Sequence, residues 1–341
     1  MNATSEIWWK QITGARNFLQ KTADTLAGGK SVMIRLADAT PWLEDMREIL
    51  TEFLNKKFGG RKFIREINSL FVDEPSMYVF ENLCSEDVKS ELIPIDEDAY
   101  VKFLAERDDI ILNDVCLWIR GASDAQAVKW YDFIADYHKF GGKGLFLLET
   151  GAACELGGKA GVEIFSFETE VSEYDCYAFN IFLAAQFGTG DKFIKRYLAE
   201  LASNATGFDV ERGAECIKHG NDFLNTPEKF LTNKSREEVK RAVWVTQLKL
   251  IFPLLEIFRR DFVKKYESLL ESFMPYIMSG GKIIHTPDEA EFGELFSILN
   301  NERWRLNSDD WETLKNYREA RNKLAHLDTL TTAQVQTILH C

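Results

Sequence analysis

"GLFLLET", from Gly144 to Thr150, is a compact apolar run of the kind that forms a strand buried on both faces of a sheet. Three similar runs lie around it: "SVMIRL" (Ser31–Leu36), "VCLWIRG" (Val115–Gly121) and "VEIFSF" (Val162–Phe167). "FIREINSLFV" (Phe63–Val72) is a fifth strand candidate. Helical patterns separate several of these runs, and the alternation predicts a parallel sheet covered by helices on both faces.

The chain after Phe167 is predicted to form only helices. "SREE" (Ser235–Glu238) and "TPDE" (Thr286–Glu289) have the form of capping boxes, which mark the start of a helix. Pro253 should kink or split the long apolar-periodic run that begins after the first of these boxes. "NSDD" (Asn307–Asp310) places acids in the first turn of the last long helix, where they suit the helix dipole. Helices of this length and number predict a bundle.

The predicted fold class is therefore α/β followed by all-α. We assign residues 1–170 to an α/β domain, 171–234 to a helical linker or lid, and 235–341 to a helical bundle. The chain has 341 residues, of which 45% are hydrophobic, and this is enough apolar material for two cores.

The composition favours a cytoplasmic protein. No run approaches the roughly 20 apolar residues of a membrane span, and the first residues lack the basic and apolar regions of a secretory signal. The six cysteines are scattered without a CxxC pair, which argues against a disulfide framework and a zinc site. The net charge is −13, and most of the excess acid precedes residue 210. The first part should therefore repel nucleic acid, whereas the last part is neutral enough to contact it.

"GGKS" (Gly28–Ser31) has the form of the end of a phosphate-binding P-loop. Such a loop needs a strand before it and a helix after it, so that backbone N–H groups face the phosphates. The order is reversed here, and Asp24 stands where the first glycine of the motif is required. These glycines are predicted to end a helix, and no cofactor is expected.

The order of strands and helices nevertheless resembles that of P-loop NTPases of the AAA or STAND kind. "CLWIRG" ends in Arg120 where that family has a magnesium-binding acid. The resemblance implies a degenerate copy that does not hydrolyse nucleotide.

"RNKLAH" (Arg321–His326) combines Arg-Asn, a small apolar turn and a histidine near the end of a late helix. This segment and the helices around it, residues 235–341, resemble the HEPN ribonuclease family and its R-x4-H motif. Arg212 and His219 also have a spacing that the motif allows, but Arg212 has no asparagine beside it and lies in the predicted linker. The resemblance implies a helical bundle, metal-independent RNA cleavage, and two protomers whose motifs face each other across a cleft.

Arg321, Asn322 and His326 are the candidate catalytic residues. RNA carries its own nucleophile, the 2′-hydroxyl, and a histidine side chain titrates near neutral pH, where it can accept or donate the required proton. A guanidinium can bind the scissile phosphate through two hydrogen bonds and offset the charge that builds on it. Asn322 would orient the histidine or donate to a phosphate oxygen. No metal is predicted to take part.

Arg321 and His326 are five residues apart, about 140° around a helix, so one chain does not place them side by side. A site that uses both needs two protomers, and we expect a homodimer through the C-terminal bundle. Trp311, Leu314 and Tyr317, in the same apolar stripe, are expected near the contact.

The leading hypothesis is a metal-independent endoribonuclease with RNA as substrate and an N-terminal sensor domain whose regulator is unknown. By resemblance it would be a toxin or phage-defence effector. The alternatives are a non-catalytic dimerisation or scaffold protein and a nucleotide-sensing module. In the plainest alternative, His326 only favours a helix C-terminus and Arg321 pairs with Glu291 or Glu294.

Overall fold

The computed structural model describes residues 2–38, 40–92, 97–154, 156–188 and 190–339. The chain divides into two compact units, Met1–Phe179 and Asn180–Cys341. Most of the segment that we assign to a linker or lid, residues 171–234, thus lies in the same unit as the predicted bundle.

A five-stranded parallel sheet forms the centre of the first unit, and this part of the fold prediction is confirmed. Its order is β2-β3-β4-β1-β5, with β1 paired to β4 on one side and to β5 on the other. Each predicted run supplies one strand. The strands are β1 (Ser31–Leu36), β2 (Phe63–Asn68), β3 (Val115–Arg120), β4 (Leu145–Gly151) and β5 (Val162–Ser166). Because all five are parallel, their carboxyl ends meet at one edge of the sheet.

The described residues of the first unit also form nine helices, the last of which continues into the second unit. They are α1 (Ala3–Gln11), α2 (Thr13–Ala27), α3 (Leu43–Phe58), α4 (Pro75–Leu83), α5 (Glu86–Lys89), α6 (Glu97–Glu106), α7 (Asp124–Lys139), α8 (Phe167–Glu170) and α9 (Glu173–Phe187). Helices α1, α2, α3 and α8 cover one face of the sheet, and α4, α6 and α7 cover the other. Both faces of β3 and β4 are therefore buried, as their continuous apolar sequences predict.

A half-buried histidine ties α7 to the start of β1. His138 Nε2 lies 2.7 Å from Ser31 Oγ, and His138 Nδ1 lies 3.2 Å from the Gly142 carbonyl oxygen. The Ser31 hydroxyl also accepts a hydrogen bond from the Phe146 N–H, at 3.0 Å. A neutral imidazole satisfies this arrangement, donating from Nδ1 and accepting at Nε2. Burial lowers the pKa of His138 from its ordinary value, although the Gly142 carbonyl opposes the shift.

We expect this histidine to make the first unit less stable in mild acid. Because the pKa of His138 is lower in the folded chain, its contribution is complete above the unfolded value of about 6.5 and is lost as the pH falls below it. Urea unfolding at pH 7.5 and pH 5.5 should therefore show a larger loss of unfolding free energy for the wild type than for His138→Gln. Equal losses in the two proteins would contradict the assignment.

The described part of the second unit is helical apart from one short hairpin. Its helices after α9 are α10 (Lys192–Thr206), α11 (Val210–His219), α12 (Asn221–Asn225), α13 (Arg236–Leu250), α14 (Phe252–Lys265), α15 (Glu267–Glu271), α16 (Phe292–Leu299), α17 (Ser308–Ala325) and α18 (Thr332–Leu339). The hairpin pairs β6 (Tyr276–Ile277) with β7 (Ile283–Ile284), and the prediction of helices alone after Phe167 is wrong at this point. Two-residue strands are too short to produce a periodic sequence signal.

The ends of the bundle helices test the capping predictions. Ser235 and Glu238 form the predicted capping box of α13, and α14 begins at Phe252 with Pro253 in its first turn. The box predicted at Thr286 is wrong, because that segment is a single 3-10 turn. Glu291 and Glu294 form the capping box instead, at the start of α16.

Five cysteines of the described chain, Cys84, Cys116, Cys154, Cys176 and Cys216, are buried free thiols. None of the helices in the described ranges is long and apolar enough to cross a membrane.

Candidate functional site

The predicted site begins where α17 ends. His326 is the C-cap of the helix, and Leu327 follows in the left-handed conformation with φ 60°. The Asp328 N–H donates to the Lys323 carbonyl at 2.9 Å, which completes a Schellman-type helix end without the usual glycine. A non-glycine residue in this conformation is uncommon. The turn holds the exposed His326 at the open end of the helix.

His326 lines an open cleft of about 480 Å³ together with one face of α13. Four side chains of α13 at positions i, i+3, i+4 and i+7 form its wall: Glu237, Lys240, Arg241 and Trp244. The imidazole forms no hydrogen bond or ion pair with any residue that the structure describes.

Some side chains in the wall of the cleft are held by hydrogen bonds or ion pairs, and others have no such partner among the described residues. The Trp244 indole N–H donates to the Leu324 carbonyl at 2.8 Å, so this half-buried ring is held against the last turn of α17. Lys240 is 3.5 Å from Asp328, whereas the exposed Arg241 has no ion-pair partner in the described ranges. A fixed aromatic ring beside the free guanidinium of Arg241 suits a single-stranded nucleic acid, which offers bases to stack and phosphates to bind.

Arg321 points to a different neighbour. Its Nη2 lies 3.2 Å from Glu291 Oε2 at the start of α16, and its Nε is buried without a partner among the described residues. The pairing with Glu291 is the one that the plainest alternative predicts. The structure therefore does not bring Arg321 and His326 together within one chain. Asn322 is exposed, between them in sequence.

The expected dimer-contact residues require a correction. Leu314 is fully buried and Tyr317 is 4% exposed, so both lie in the core of the second unit and cannot face a partner. Tyr317 packs edge-on against Phe258 of α14, with ring centroids 4.7 Å apart. Trp311 is half-buried and stacked on Phe296 of α16. The apolar stripe of α17 is thus used within the bundle, and a charge at Leu314 should unfold it.

The carboxyl edge of the sheet is the second place where a ligand would be sought in such a fold. Glu149, at the end of β4, is buried and accepts hydrogen bonds from Arg47 Nε at 3.0 Å and from the Trp118 indole at 2.8 Å. Arg47 also pairs with Glu44, which is 3.1 Å from Arg120. Although burial opposes it, the hydrogen bond with Glu149 raises the pKa of the Arg47 guanidinium, so Arg47 stays charged.

Arg120 takes the position where the NTPase resemblance requires a magnesium-binding acid. It is paired with Glu66 at 2.5 Å and with Glu44. A cavity of about 310 Å³ lies beside these pairs, and its wall includes Arg47, Arg120 and Asn68. Its charged side chains are mostly engaged with one another.

The P-loop-like segment lies between the end of α2 and the start of β1, not at a strand-to-helix turn. Gly28 and Gly29 end α2, as predicted, and Lys30 is paired with Glu163 at 2.8 Å. The turn that does connect β1 to α3 contains no glycine and ends at Trp42, which has φ 44°. Within the described ranges, no group of three His, Cys, Asp or Glu side chains is arranged to hold a metal ion.

The residues that sequence reasoning missed are Lys240, Arg241 and Trp244. Their signal is present in "KRAVW", where a basic pair and a tryptophan recur on one face of a helix. It is weak, because the same spacing is common on solvated helices, and only the position of α17 shows that this face lines a cleft.

No protein-family model and no curated protein matches the chain. Among solved structures, the crystal structure of Cdc6p from Pyrobaculum aerophilum is similar, with 15% sequence identity and a TM-score of 0.29 over 97% of this chain and 95% of that one. A likeness at this TM-score carries no argument about fold or activity, so the NTPase and HEPN resemblances stay predictions.

Proposed function

We propose that this chain is a metal-independent endoribonuclease that acts as a homodimer, with its first unit as sensor or regulator. The observation that supports the proposal most is the free imidazole of His326 in a cleft with Lys240, Arg241 and Trp244. A histidine that served only to stabilise a helix end would need neither the cleft nor the unpaired Arg241 beside it. An RNA-cleaving toxin or defence effector is the role that this activity would serve.

The proposed reaction is an internal phosphoryl transfer within RNA. His326 accepts the proton of a 2′-hydroxyl, and the 2′-oxygen forms a bond to the adjacent phosphorus. The bond from phosphorus to the 5′-oxygen breaks, that oxygen takes up a proton from the solvent, and protonated His326 returns its proton to the solvent. The products are a 2′,3′-cyclic phosphate and a free 5′-hydroxyl. No electrons are exchanged, and no co-reactant is consumed.

The cationic residues stabilise the charge on the phosphorane-like transition state. Arg321 is proposed to bind the scissile phosphate through its guanidinium after exchanging Glu291 for a phosphate oxygen. Since Arg321 and His326 of one chain face different helices, the Arg321 that completes each site comes from the second protomer. Arg241 binds a neighbouring phosphate, and Trp244 stacks on an unpaired base. Asn322 donates to a phosphate oxygen.

Two inactive variants should restore each other's activity if the site is shared between protomers. Arg321→Ala and His326→Ala are each expected to be inactive alone. In an equal mixture, about half of the dimers contain both variants, and each of these has one intact site, so about a quarter of wild-type activity should return. The measurement is cleavage of a labelled single-stranded RNA after co-refolding or subunit exchange.

Three outcomes separate the possibilities. A mixture that stays inactive, although mass measurement shows mixed dimers, would contradict a site shared between protomers. Full activity in a monomer would contradict it as well. A stable wild-type dimer that never cleaves RNA would favour the non-catalytic scaffold, which the Arg321–Glu291 ion pair also permits.

A further inference from the structure

Arg318 is a half-buried cation without a carboxylate partner. It lies on α17 one turn before Arg321, and its guanidinium carbon is 4.3 Å from the centroid of the Phe296 ring on α16. No ion pair joins Arg318 to any residue that the structure describes, and its Nε is buried without a hydrogen-bond partner there. A guanidinium without a carboxylate partner keeps an uncompensated charge, which favours an anionic ligand bound from outside.

Arg321 has the same unusual feature. Both arginines are three residues apart on one face of α17, directed to α16, and both have a buried Nε without a partner in the described ranges. The acids nearby do not compensate them equally. Glu291 pairs with Arg321, while Glu294 is occupied by Lys282 at 2.5 Å and by the Glu291 N–H at 2.9 Å. The pair of arginines therefore carries an excess positive charge on this face of the bundle.

We propose that Arg318 binds a second phosphate of single-stranded RNA, next to the phosphate bound by Arg321; this inference rests on the proposed function. Stacking on Phe296 uses the flat face of the guanidinium and leaves its N–H groups, which lie in the plane, for phosphate oxygens. The Cα atoms of the two arginines are about 4.5 Å apart along the helix axis. Their long side chains are flexible enough to reach two neighbouring phosphates. The substrate would then run along α17.

Binding, rather than cleavage, tests this inference. The probe is a fluorescein-labelled single-stranded RNA, and the protein is full-length His326→Ala, which holds substrate without turnover. Arg318→Met, which keeps the aliphatic contact with Phe296, should weaken binding about tenfold, the loss of one charge-assisted contact. It should also reduce the slope of log Kd against log salt by about 0.7. Arg260→Met is the matched control, because Arg260 is an exposed arginine of α14 that sits beside Asp261.

The outcomes distinguish this inference from the proposed function. If RNA binding depends on Arg318 but the wild type does not cleave RNA, the phosphate contact is supported and the nuclease activity is rejected. Cleavage by the wild type with unchanged RNA affinity in Arg318→Met would overturn the phosphate contact alone. Loss of dimer mass in Arg318→Met, with RNA affinity per dimer unchanged, would assign the arginine to a protein interface and also overturn it. Melting temperatures show whether each variant is folded.

Discussion

The His326→Ala variant is expected to lose RNA cleavage by about two to four orders of magnitude, the range that general acid–base groups contribute. Its thermal unfolding should match that of the wild type, because the imidazole is exposed and makes no hydrogen bond with a described residue. The measurement is cleavage of single-stranded RNA in the presence of EDTA, with the product ends analysed for a 2′,3′-cyclic phosphate.

The matched control is His285→Ala, which changes another exposed histidine of the second unit outside the cleft. It should cleave RNA at the wild-type rate. If His326→Ala and the wild type cleave at the same rate, then His326 has no catalytic role and the activity belongs to another site or to a contaminant.

The second large effect concerns the stability of the first unit. Glu149→Ala should lower the free energy of unfolding by about 3–5 kcal/mol, the usual result of removing one partner of a buried ion pair. The loss leaves the Arg47 guanidinium and the Trp118 indole N–H without their shared acceptor. Urea unfolding followed by tryptophan fluorescence measures it.

Two variants isolate the contribution of burial in this network. Glu44→Gln changes an exposed partner of the same Arg47, and the loss there should be below about 1 kcal/mol, as for other surface pairs. Glu149→Gln, which keeps an acceptor but removes the charge, should give an intermediate loss. A loss below about 1 kcal/mol for Glu149→Ala would show that the network does not stabilise the sheet edge.

The sheet could be predicted from the sequence because its signals are local. Runs such as Val115–Gly121 and Gly144–Thr150 are mostly apolar, and their length is typical of a strand covered on both faces. The start of α13 is predicted by an equally local signal, because Ser235 and Glu238 satisfy each other within one turn.

The features that could not be predicted depend on contacts with distant parts of the chain. Leu314 has the same apolar character whether its stripe meets another helix of the bundle or a second protomer, and only its burial shows that it lies in the core. The cleft is a similar case. A motif in the sequence predicts His326 as a site residue, but the position of Trp244 in the cleft depends on a hydrogen bond to a carbonyl eighty residues away. The ion pair of Arg321 with Glu291 is one of two pairings that the sequence allows, and nothing in the sequence selects it.

The buried thiols make the opening of each unit separately measurable by alkylation. Burial raises the pKa of both Cys116 and Cys216 to about 12, so at neutral pH each sulfur is protonated as well as shielded from reagents. Cys116 belongs to the first unit and Cys216 to the second. Alkylation of either one therefore waits for its own unit to open, and mass spectrometry of the two peptides times the two openings separately in a single sample.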